Sequence, residues 1–354
     1  MIVYLLIVTT MLLVPDLIIW NQYLSHTSFV WQVLASAPSI IVFATFIIAM
    51  TRLLGLSKGI LLFFSCFLFI AVPKMVFALV AWPLGWPCGL VAALLTIGAV
   101  AYGFIKGWRT LVVKKVDYHS PELPKVFDGY RILQISDLHI GTFATHPEFL
   151  SEVVDTANSL QPDLIVFTGD LVNVFPKEAE PFLHIIGKLH SKDGIFSILG
   201  NHDYEDLPQL MHDEQELGWR VLKNEHHLLR KGDDTIAIVG VEPVGNPPFG
   251  IRGRLMDAVQ GLPTGMFKLL LTHDPTHWRL EVLDKTDIQL TLSGHTHAGQ
   301  IKIGPLSPAQ GMYKEWHGTY IVNGRMLHVS AGLAGRLPFR LFAWPEINLI
   351  TLKS

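Results

Sequence analysis

The chain has 354 residues, a mean hydropathy of +0.38 and only 16% charged residues, which is too apolar for an ordinary soluble protein. Residues 1–116 hold seven basic residues and one acid, Asp16, which leaves 20 of the 27 basic and 29 of the 30 acidic residues for 117–354. The resulting net charge of −9 in 117–354 argues against non-specific nucleic-acid binding, which depends on Lys and Arg. We therefore predict a transmembrane helical anchor over 1–116 and a globular domain over 117–354, and no specific nucleic-acid partner.

Four apolar stretches in the anchor, each near the ~20 residues needed to cross a bilayer, predict four membrane helices. They cover 2–20, 30–50, 60–80 and 89–105. The first lacks a basic n-region and a small-residue cleavage site, so we interpret it as an uncleaved anchor. Lys74 interrupts the third stretch near its end, where its ammonium is expected to snorkel to the interface.

The charges of the connecting loops predict the orientation of these helices. The first and third loops contain no Lys or Arg, whereas the second holds Arg52 and Lys58 and the segment 106–115 holds four more basic residues. The positive-inside rule then places both termini, and the acidic domain, on the cytoplasmic side of the inner membrane. If Lys74 prevents the third helix from crossing, the domain lies on the opposite side.

In the acidic domain, short apolar runs alternate with helical patterns, as in βαβ units. The runs that predict strands are 131–136, 163–169, 194–200, 235–241, 267–272 and 288–293. Helical spacing covers 147–160 and 178–190, and the carboxylates of 212–218 are interpreted as a solvated helix face. The strand-rich tail, 319–352, is expected to complete a second sheet.

Carboxylate, amide and imidazole side chains follow these predicted strands, each in a turn with Gly or Ser close by. They are Asp137, His139, Asp170, Asn201, His202, Asp203, His273, His295 and His297. One such residue alone is more often a turn, cap or core residue, but the joint pattern predicts a metal site where strands end. Oxygen and imidazole ligands without thiolate suit Mn, Fe, Zn or Mg.

The ordered blocks "SDLH", "TGDLVN", "LGNHD", "LTHDP" and "SGHTHAGQ" resemble the motifs of calcineurin-like metallophosphoesterases, in particular the membrane-anchored bacterial branch. The resemblance covers roughly 130–354 and implies an α/β four-layer sandwich, with two mixed β-sheets flanked by helices. It also implies two divalent metal ions. One ion is expected to be bound by Asp137, His139 and His297, and the other by Asn201, His273 and His295, with Asp170 bridging them.

In the same resemblance, His202 acts as general acid and Asp203 orients its ring. Ala331 departs from the pattern, because relatives typically carry Arg at that position. A loop at 245–254 is interpreted either as a plain surface loop or as a lip in which Arg252 or Arg254 reaches a substrate phosphate.

These features predict a membrane-anchored, dinuclear metal-dependent phosphoesterase that cleaves a phosphodiester or pyrophosphate by means of a metal-bridged hydroxide. Proximity to the lipid bilayer favours a lipid-linked substrate such as UDP-2,3-diacylglucosamine of lipid A synthesis. Two alternatives remain open. One is a phosphodiesterase for a soluble substrate such as a cyclic nucleotide, and the other is a non-catalytic membrane sensor that uses the domain for binding. The intact ligand set and His202 favour the enzyme.

Overall fold

The computed structural model describes residues 2–244 and 252–354, so most of the proposed lip at 245–254 lies outside the described residues. The chain forms two compact units, Met1–Lys106 and Gly107–Ser354. This boundary lies ten residues before the one drawn from composition. The reason is that Val112–His119, which contains the last two basic residues of the segment 106–115, forms a strand of the globular unit.

Within the described residues, the N-terminal part of the chain contains four helices long and apolar enough to cross a membrane. They are Val3–Leu24, Phe29–Thr51, Ser57–Leu84 and Trp86–Arg109. Their regular α-helical parts are α1 (Ile2–Ile19), α2 (Phe29–Thr51), α3 (Leu56–Cys66), α4 (Val72–Leu84) and α5 (Trp86–Ile105). A π-helical turn, Phe67–Ala71, joins α3 to α4, so the third span continues through the position of Lys74. The four helices indicate that the protein is associated with a membrane.

The prediction that Lys74 snorkels to the interface was wrong. Its ammonium forms an ion pair with Asp16 and donates hydrogen bonds to the Ala35 carbonyl at 2.8 Å and to Ser39 Oγ at 3.0 Å. Ser39 Oγ in turn donates to Asp16 Oδ1 at 3.0 Å. Pairing inside the helix bundle offsets the cost of placing an amine in hydrocarbon, which is why the side chain stays among α1, α2 and α4.

The second unit contains two six-stranded mixed sheets. The first has the order β1 (Val112–His119), β12 (Glu346–Lys353), β2 (Arg131–Ile135), β3 (Leu164–Phe167), β4 (Ile195–Ser197) and β5 (Arg220–Val221). The second has the order β10 (Gly318–Val322), β11 (Arg325–Val329), β9 (Leu290–Ser293), β8 (Lys268–Leu271), β7 (Asp234–Gly240) and β6 (Glu225–Lys231). Strands β2 to β5 run parallel to one another, as do β7, β8, β9 and β11.

The two sheets pack face to face through apolar side chains such as Val166 of β3 and Leu292 of β9. The outer face of the first sheet is covered by α6 (Pro147–Ser159), α7 (Leu183–Ile186) and α8 (Leu207–Glu216). The outer face of the second is covered by α9 (Leu255–Ala258) and by the π-helical turn Trp278–Val282, which leads into α10 (Leu283–Lys285). This arrangement confirms the predicted sandwich of two mixed sheets flanked by helices.

Three local predictions were wrong. Strand β12, expected in the second sheet, lies between β1 and β2 in the first, pairing parallel to one and antiparallel to the other. The helical pattern at 178–190 yields only α7 and short 3-10 turns, because Pro181 interrupts a longer helix. Of the carboxylates in 212–218, Asp213 and Glu214 are buried rather than solvated.

Candidate metal centre

The predicted ligand residues meet because the strands that carry them are parallel neighbours. Asp137 and His139 follow β2, Asp170 follows β3, and Asn201 follows β4, while His273 follows β8 and the pair His295 and His297 follows β9. Carboxyl ends of parallel strands share one edge of a sheet, and both sheets present that edge to the same place. The structure thus brings together side chains that are up to 160 residues apart in the chain.

The backbone at this edge is held in an uncommon conformation. Asp137, His139, Asp170, His295 and His297 have φ between 42° and 73°, which is rare for residues other than glycine. Such left-handed residues cost energy and cluster at functional sites. Neighbouring glycines make room for them, since a Cβ atom at Gly200 would overlap Asp170 Oδ1 and one at Gly294 would overlap Asp137 Oδ2.

Asp170 lies at the centre of the site. Its Oδ2 atom is 3.5 Å from His139 Nε2 and 3.2 Å from His273 Nε2, so one carboxylate oxygen faces imidazoles from both sheets. Its Oδ1 atom accepts a hydrogen bond from the His202 backbone N–H at 2.8 Å. The carboxylate is therefore fixed between two groups of histidines.

The first group contains Asp137, His139 and His297, whose potential ligand atoms lie within 4.8 Å of one another. His297 Nε2 is 3.7 Å from Asp137 Oδ1, and the His139 and His297 ring centroids are 5.2 Å apart. Burial lowers the pKa of both histidines to about 3, so both rings are neutral at pH 7 and each offers a lone pair. The group has the composition of a divalent metal site.

The second group contains Asp170, His273 and His295, also within 4.8 Å. His273 Nδ1 donates to the Thr168 carbonyl at 2.8 Å, which leaves Nε2 to face Asp170. Burial opposes protonation of His273, but the Asp170 carboxylate outweighs burial and raises the pKa of that ring to about 10. A cation bound beside Asp170 would take the place of this proton.

Tyr313 supports His295, and sequence reasoning missed it. Its hydroxyl lies 2.9 Å from His295 Nε2, so His295 turns Nδ1 toward the centre, 3.2 Å from His273 Nε2. Asp274 Oδ2 lies 3.7 Å from the same Nε2 atom. Partners of this kind fix the orientation and tautomer of a ligating histidine. The sequence offers no spacing from which Tyr313 could have been predicted.

Several polar atoms of the centre are buried and lack a hydrogen-bond partner among the described residues. They are both ring nitrogens of His139, Nδ1 of His297 and Oδ1 of Asn201. Buried polar groups are normally satisfied, and each orphan costs about 1–3 kcal/mol. Imidazole nitrogens and amide oxygens are also good ligands for divalent ions, so the residues present fit a metal site.

His202 lies beside the first group, with its ring centroid 4.8 Å from that of His139. Its Nδ1 atom is 2.7 Å from the carbonyl oxygen of Asn173 and must donate, because a carbonyl only accepts. The prediction that Asp203 orients this ring was wrong, since the Asn173 carbonyl does so. A backbone acceptor carries no side-chain signature, which explains why the sequence did not reveal it.

Asp203 instead holds the backbone of the neighbouring turns. Its buried carboxylate accepts hydrogen bonds from the N–H groups of Asp170 and Gly200 through Oδ2, and of Leu171 through Oδ1, at 2.8–3.0 Å. Burial and the Asp170 charge raise the pKa of Asp203 to about 7. Asp203 thus ties the turn after β3 to the turn after β4, and with it the position of Asp170.

Two arginines in the segment after β11 border the centre. Arg340 is fully buried and donates to the carbonyls of Ala331 at 2.7 Å and Ala334 at 2.6 Å, with a longer contact of 3.3 Å to His297. Arg336 is half-buried and donates to the Asn173 carbonyl. Ala331, at the position where an arginine was expected, is buried against this segment and provides no charge.

Comparison with known proteins identifies the class. A family model of calcineurin-like phosphoesterases matches residues 130–299, the part that carries every predicted ligand. The uncharacterized metallophosphoesterase YkuE of Bacillus subtilis is 34% identical over 283 residues, covering 75% of this chain and 94% of that protein. The chain therefore belongs to the calcineurin-like metallophosphoesterase family, and it is a metal-dependent hydrolase of phosphate esters.

Relatives with membrane segments are also found. The transmembrane protein with metallophosphoesterase domain of Danio rerio is 28% identical over 75% of this chain, and the chain covers 62% of its length. The protein of the same name from Bos taurus is 26% identical over 94% of this chain, covering 78% of that protein. The combination of membrane helices and a phosphoesterase domain is thus shared with these relatives.

Proposed function

We propose that the centre binds two divalent ions and hydrolyses a phosphodiester or pyrophosphate bond. Asp137, His139 and His297 would hold one ion, Asn201, His273 and His295 the other, and Asp170 would bridge them. The observation that carries the proposal is Asp170 Oδ2, which faces an unsatisfied histidine of one sheet and a histidine of the other. Such ions, when bound, neutralise phosphoryl oxygens and make hydroxide available at neutral pH.

His202 is proposed as the general acid for the leaving group. The Asn173 carbonyl fixes its Nδ1–H, so a protonated ring has only Nε2–H left to deliver to a substrate oxygen. The His202 ring lies beside His139, and His202 is partly exposed, so a substrate at the metal centre can reach it. The backbone N–H of His202 donates a hydrogen bond to Asp170 Oδ1, which fixes the position of the proposed acid relative to the proposed bridging carboxylate.

The substrate is proposed to be lipid-linked, with a nucleotide-lipid such as UDP-2,3-diacylglucosamine as the leading example. Four apolar helices keep the catalytic unit at a bilayer, where lipid-linked esters are concentrated. The alternative enzyme substrate is a soluble diester such as a cyclic nucleotide. The non-catalytic sensor is disfavoured because a binding domain has no need of a positioned histidine such as His202.

The proposal is tested by assaying purified full-length protein, loaded with Mn, Mg or Zn, against UDP-2,3-diacylglucosamine and bis-p-nitrophenyl phosphate. Hydrolysis of both is expected, with a higher kcat/KM for the lipid. Turnover of only the aryl diester would refute the lipid-linked substrate. If neither substrate is turned over with any ion, the proposed enzymatic function is refuted and the non-catalytic membrane sensor is favoured.

His202→Asn tests the general acid. A general acid contributes typically about 10²–10⁴-fold, and most for a strongly basic leaving group. We expect kcat to fall more on an alkyl ester than on a nitrophenyl ester, with metal content unchanged. Equal losses on both esters would mean that His202 positions the phosphoryl group, and loss of metal would mean that it supports a ligand.

We further propose that the anchor lies in the inner membrane and that the catalytic unit is cytoplasmic. The loops before the second span and between the last two spans contain no Lys or Arg, whereas the other loop and the segment after the fourth span are basic. A reporter fused after Ser354 should be active on the cytoplasmic side. A periplasmic signal would contradict this topology.

A further inference from the structure

Arg336 has a geometry that the metal centre alone does not explain. It lies in the segment between β11 and β12, and its Nε and Nη2 atoms donate to the Asn173 carbonyl at 3.3 and 3.2 Å. The same carbonyl accepts the Nδ1–H of His202 at 2.7 Å. One backbone oxygen therefore fixes a guanidinium and the proposed general acid next to each other.

The charge of Arg336 acts on the metal centre. Its electrostatic interactions include Asp170, the proposed bridging carboxylate, and Glu178. It is also among the positive charges that add to the effect of burial in lowering the pKa of His139. A guanidinium does not lose its proton at physiological pH, so Arg336 provides a permanent cation at the side of the centre where His202 lies.

Part of this guanidinium remains available to a ligand. Within the described residues, Nη1 of Arg336 makes no hydrogen bond, and the side chain is half-buried. The nearby Arg340 is not an equivalent donor, because it is fully buried and its terminal nitrogens donate to backbone carbonyls. Ala331 contributes no charge. Arg336 is thus the arginine of this segment that can meet an anionic substrate.

We propose that Arg336 binds the second phosphate of a pyrophosphate diester and makes such substrates preferred over simple phosphodiesters. The inference rests on the proposed function and narrows its substrate class. A guanidinium pairs with phosphate oxygens in a planar, two-point geometry, and a pyrophosphate offers a second charged phosphate where a simple diester has none.

The reaction consumes one water. Its oxygen forms a bond to one phosphorus while the bond from that phosphorus to the bridging oxygen breaks. The second phosphate monoester leaves with the electron pair of the broken bond and its former bridging oxygen takes the Nε2 proton of His202. The protons of water restore the His202 ring or pass to the other phosphate product or to solvent. Because this leaving group is itself an anion, a fixed cation such as Arg336 stabilises its departure.

The test compares UDP-N-acetylglucosamine with bis-p-nitrophenyl phosphate as substrates of full-length, metal-loaded protein. Arg336→Ala should lower kcat/KM for the pyrophosphate by about 10- to 100-fold more than for the diester, the usual range for a charge-assisted hydrogen bond. Arg336→Lys should recover part of the loss. Arg230→Ala is the control. Arg230 is exposed on β6, which is the edge strand of the second sheet farthest from β11, so its loss removes the same charge and should leave both kcat/KM values unchanged.

A binding measurement supplies a readout independent of turnover. Calorimetry with uridine 5′-(α,β-methylene)diphosphate should show a loss of affinity in Arg336→Ala, and calorimetry with UMP a much smaller one. Metal content and Tm of each variant establish that the centre is intact. Equal losses on both substrates and both ligands would overturn the inference, because they would mean that Arg336 only positions Asn173 and His202.

The inference and the proposed function fail in different ways. If the wild type cleaves the aryl diester but neither cleaves UDP-N-acetylglucosamine nor binds the methylene analogue, the preference for pyrophosphate is refuted while the phosphoesterase stands. If the wild type cleaves neither of these substrates nor UDP-2,3-diacylglucosamine with any ion, the proposed function itself is refuted.

Discussion

Both units of the protein bury charged and polar side chains, but they do so in opposite ways. In the membrane unit the ammonium of Lys74 has three partners, Asp16, Ser39 and the Ala35 carbonyl, which matches its three N–H donors. In the catalytic unit, buried nitrogens and oxygens of His139, His297 and Asn201 have no partner among the residues described. A satisfied cluster stabilises a helix bundle, whereas an unsatisfied one requires a ligand from outside the chain.

The largest expected effect, on both hydrolysis and metal content, comes from a change in the metal centre. Asp170→Asn keeps the shape of the side chain but removes the negative charge that both histidine groups share. We expect hydrolysis to be abolished and metal content to fall, as measured by kcat and by elemental analysis of the same preparations. Asp155→Asn, an exposed change on α6, is the matched control and should retain both. Two bound ions and normal turnover in Asp170→Asn would show that the bridge assignment is wrong.

Removing one of the two charges of the Lys74–Asp16 cluster is expected to destabilise the membrane unit. Lys74→Met leaves the Asp16 carboxylate, which is only 15% exposed, without its cation, and loss of one partner from a buried pair costs up to about 3–5 kcal/mol. The double variant Asp16→Leu with Lys74→Met removes both charges and should recover most of the Tm measured in detergent. Lys58→Met, an exposed position on α3, is the control. A single variant as stable as the wild type would show that the pair contributes nothing.

Glu214 differs from both the Lys74–Asp16 pair and the metal centre, because its buried carboxyl group stays neutral over a wide pH range instead of pairing with a cation or facing a ligand site. Glu214 is 1% exposed and hydrogen-bonded to Ser197, and burial together with the Asp203 charge raises its pKa to about 8. In the unfolded chain the Glu214 carboxyl group loses its proton near pH 4.5. The neutral carboxyl group therefore stabilises the folded state fully below pH 4.5, and this stabilisation is lost as the pH rises to about 8.

The expected loss is up to about 1.4 kcal/mol per pH unit within that window. Glu214→Gln, which cannot ionise, should flatten the fall of Tm between pH 5 and pH 8 relative to the wild type. Glu216→Gln, on the exposed face of the same helix, should leave the slope unchanged. Parallel Tm profiles for wild type and Glu214→Gln would mean that Glu214 ionises in the folded protein as it does in the unfolded chain.

The resemblance to calcineurin-like metallophosphoesterases implied the mixed-sheet sandwich, and the residues themselves predicted the two-part organisation, four apolar helices and the polar side chains that meet where strands end. These features are local in origin. Apolar runs of about 20 residues, alternating strands and helices, and polar side chains placed directly after strands are all legible along the chain. Parallel strands bring their ends together, so their sequence positions alone group Asp137, Asp170 and His295 at one edge, as the structure shows.

Only the tertiary structure decided which partner each of these residues meets. The pairing of Lys74 with Asp16, the contact of Tyr313 with His295, and the Asn173 carbonyl shared by His202 and Arg336 join residues 18 to 163 positions apart. None of these contacts has a fixed spacing, and one acceptor is a backbone atom that every residue possesses. They arise from the packing of whole elements against one another, and so no local pattern encodes them.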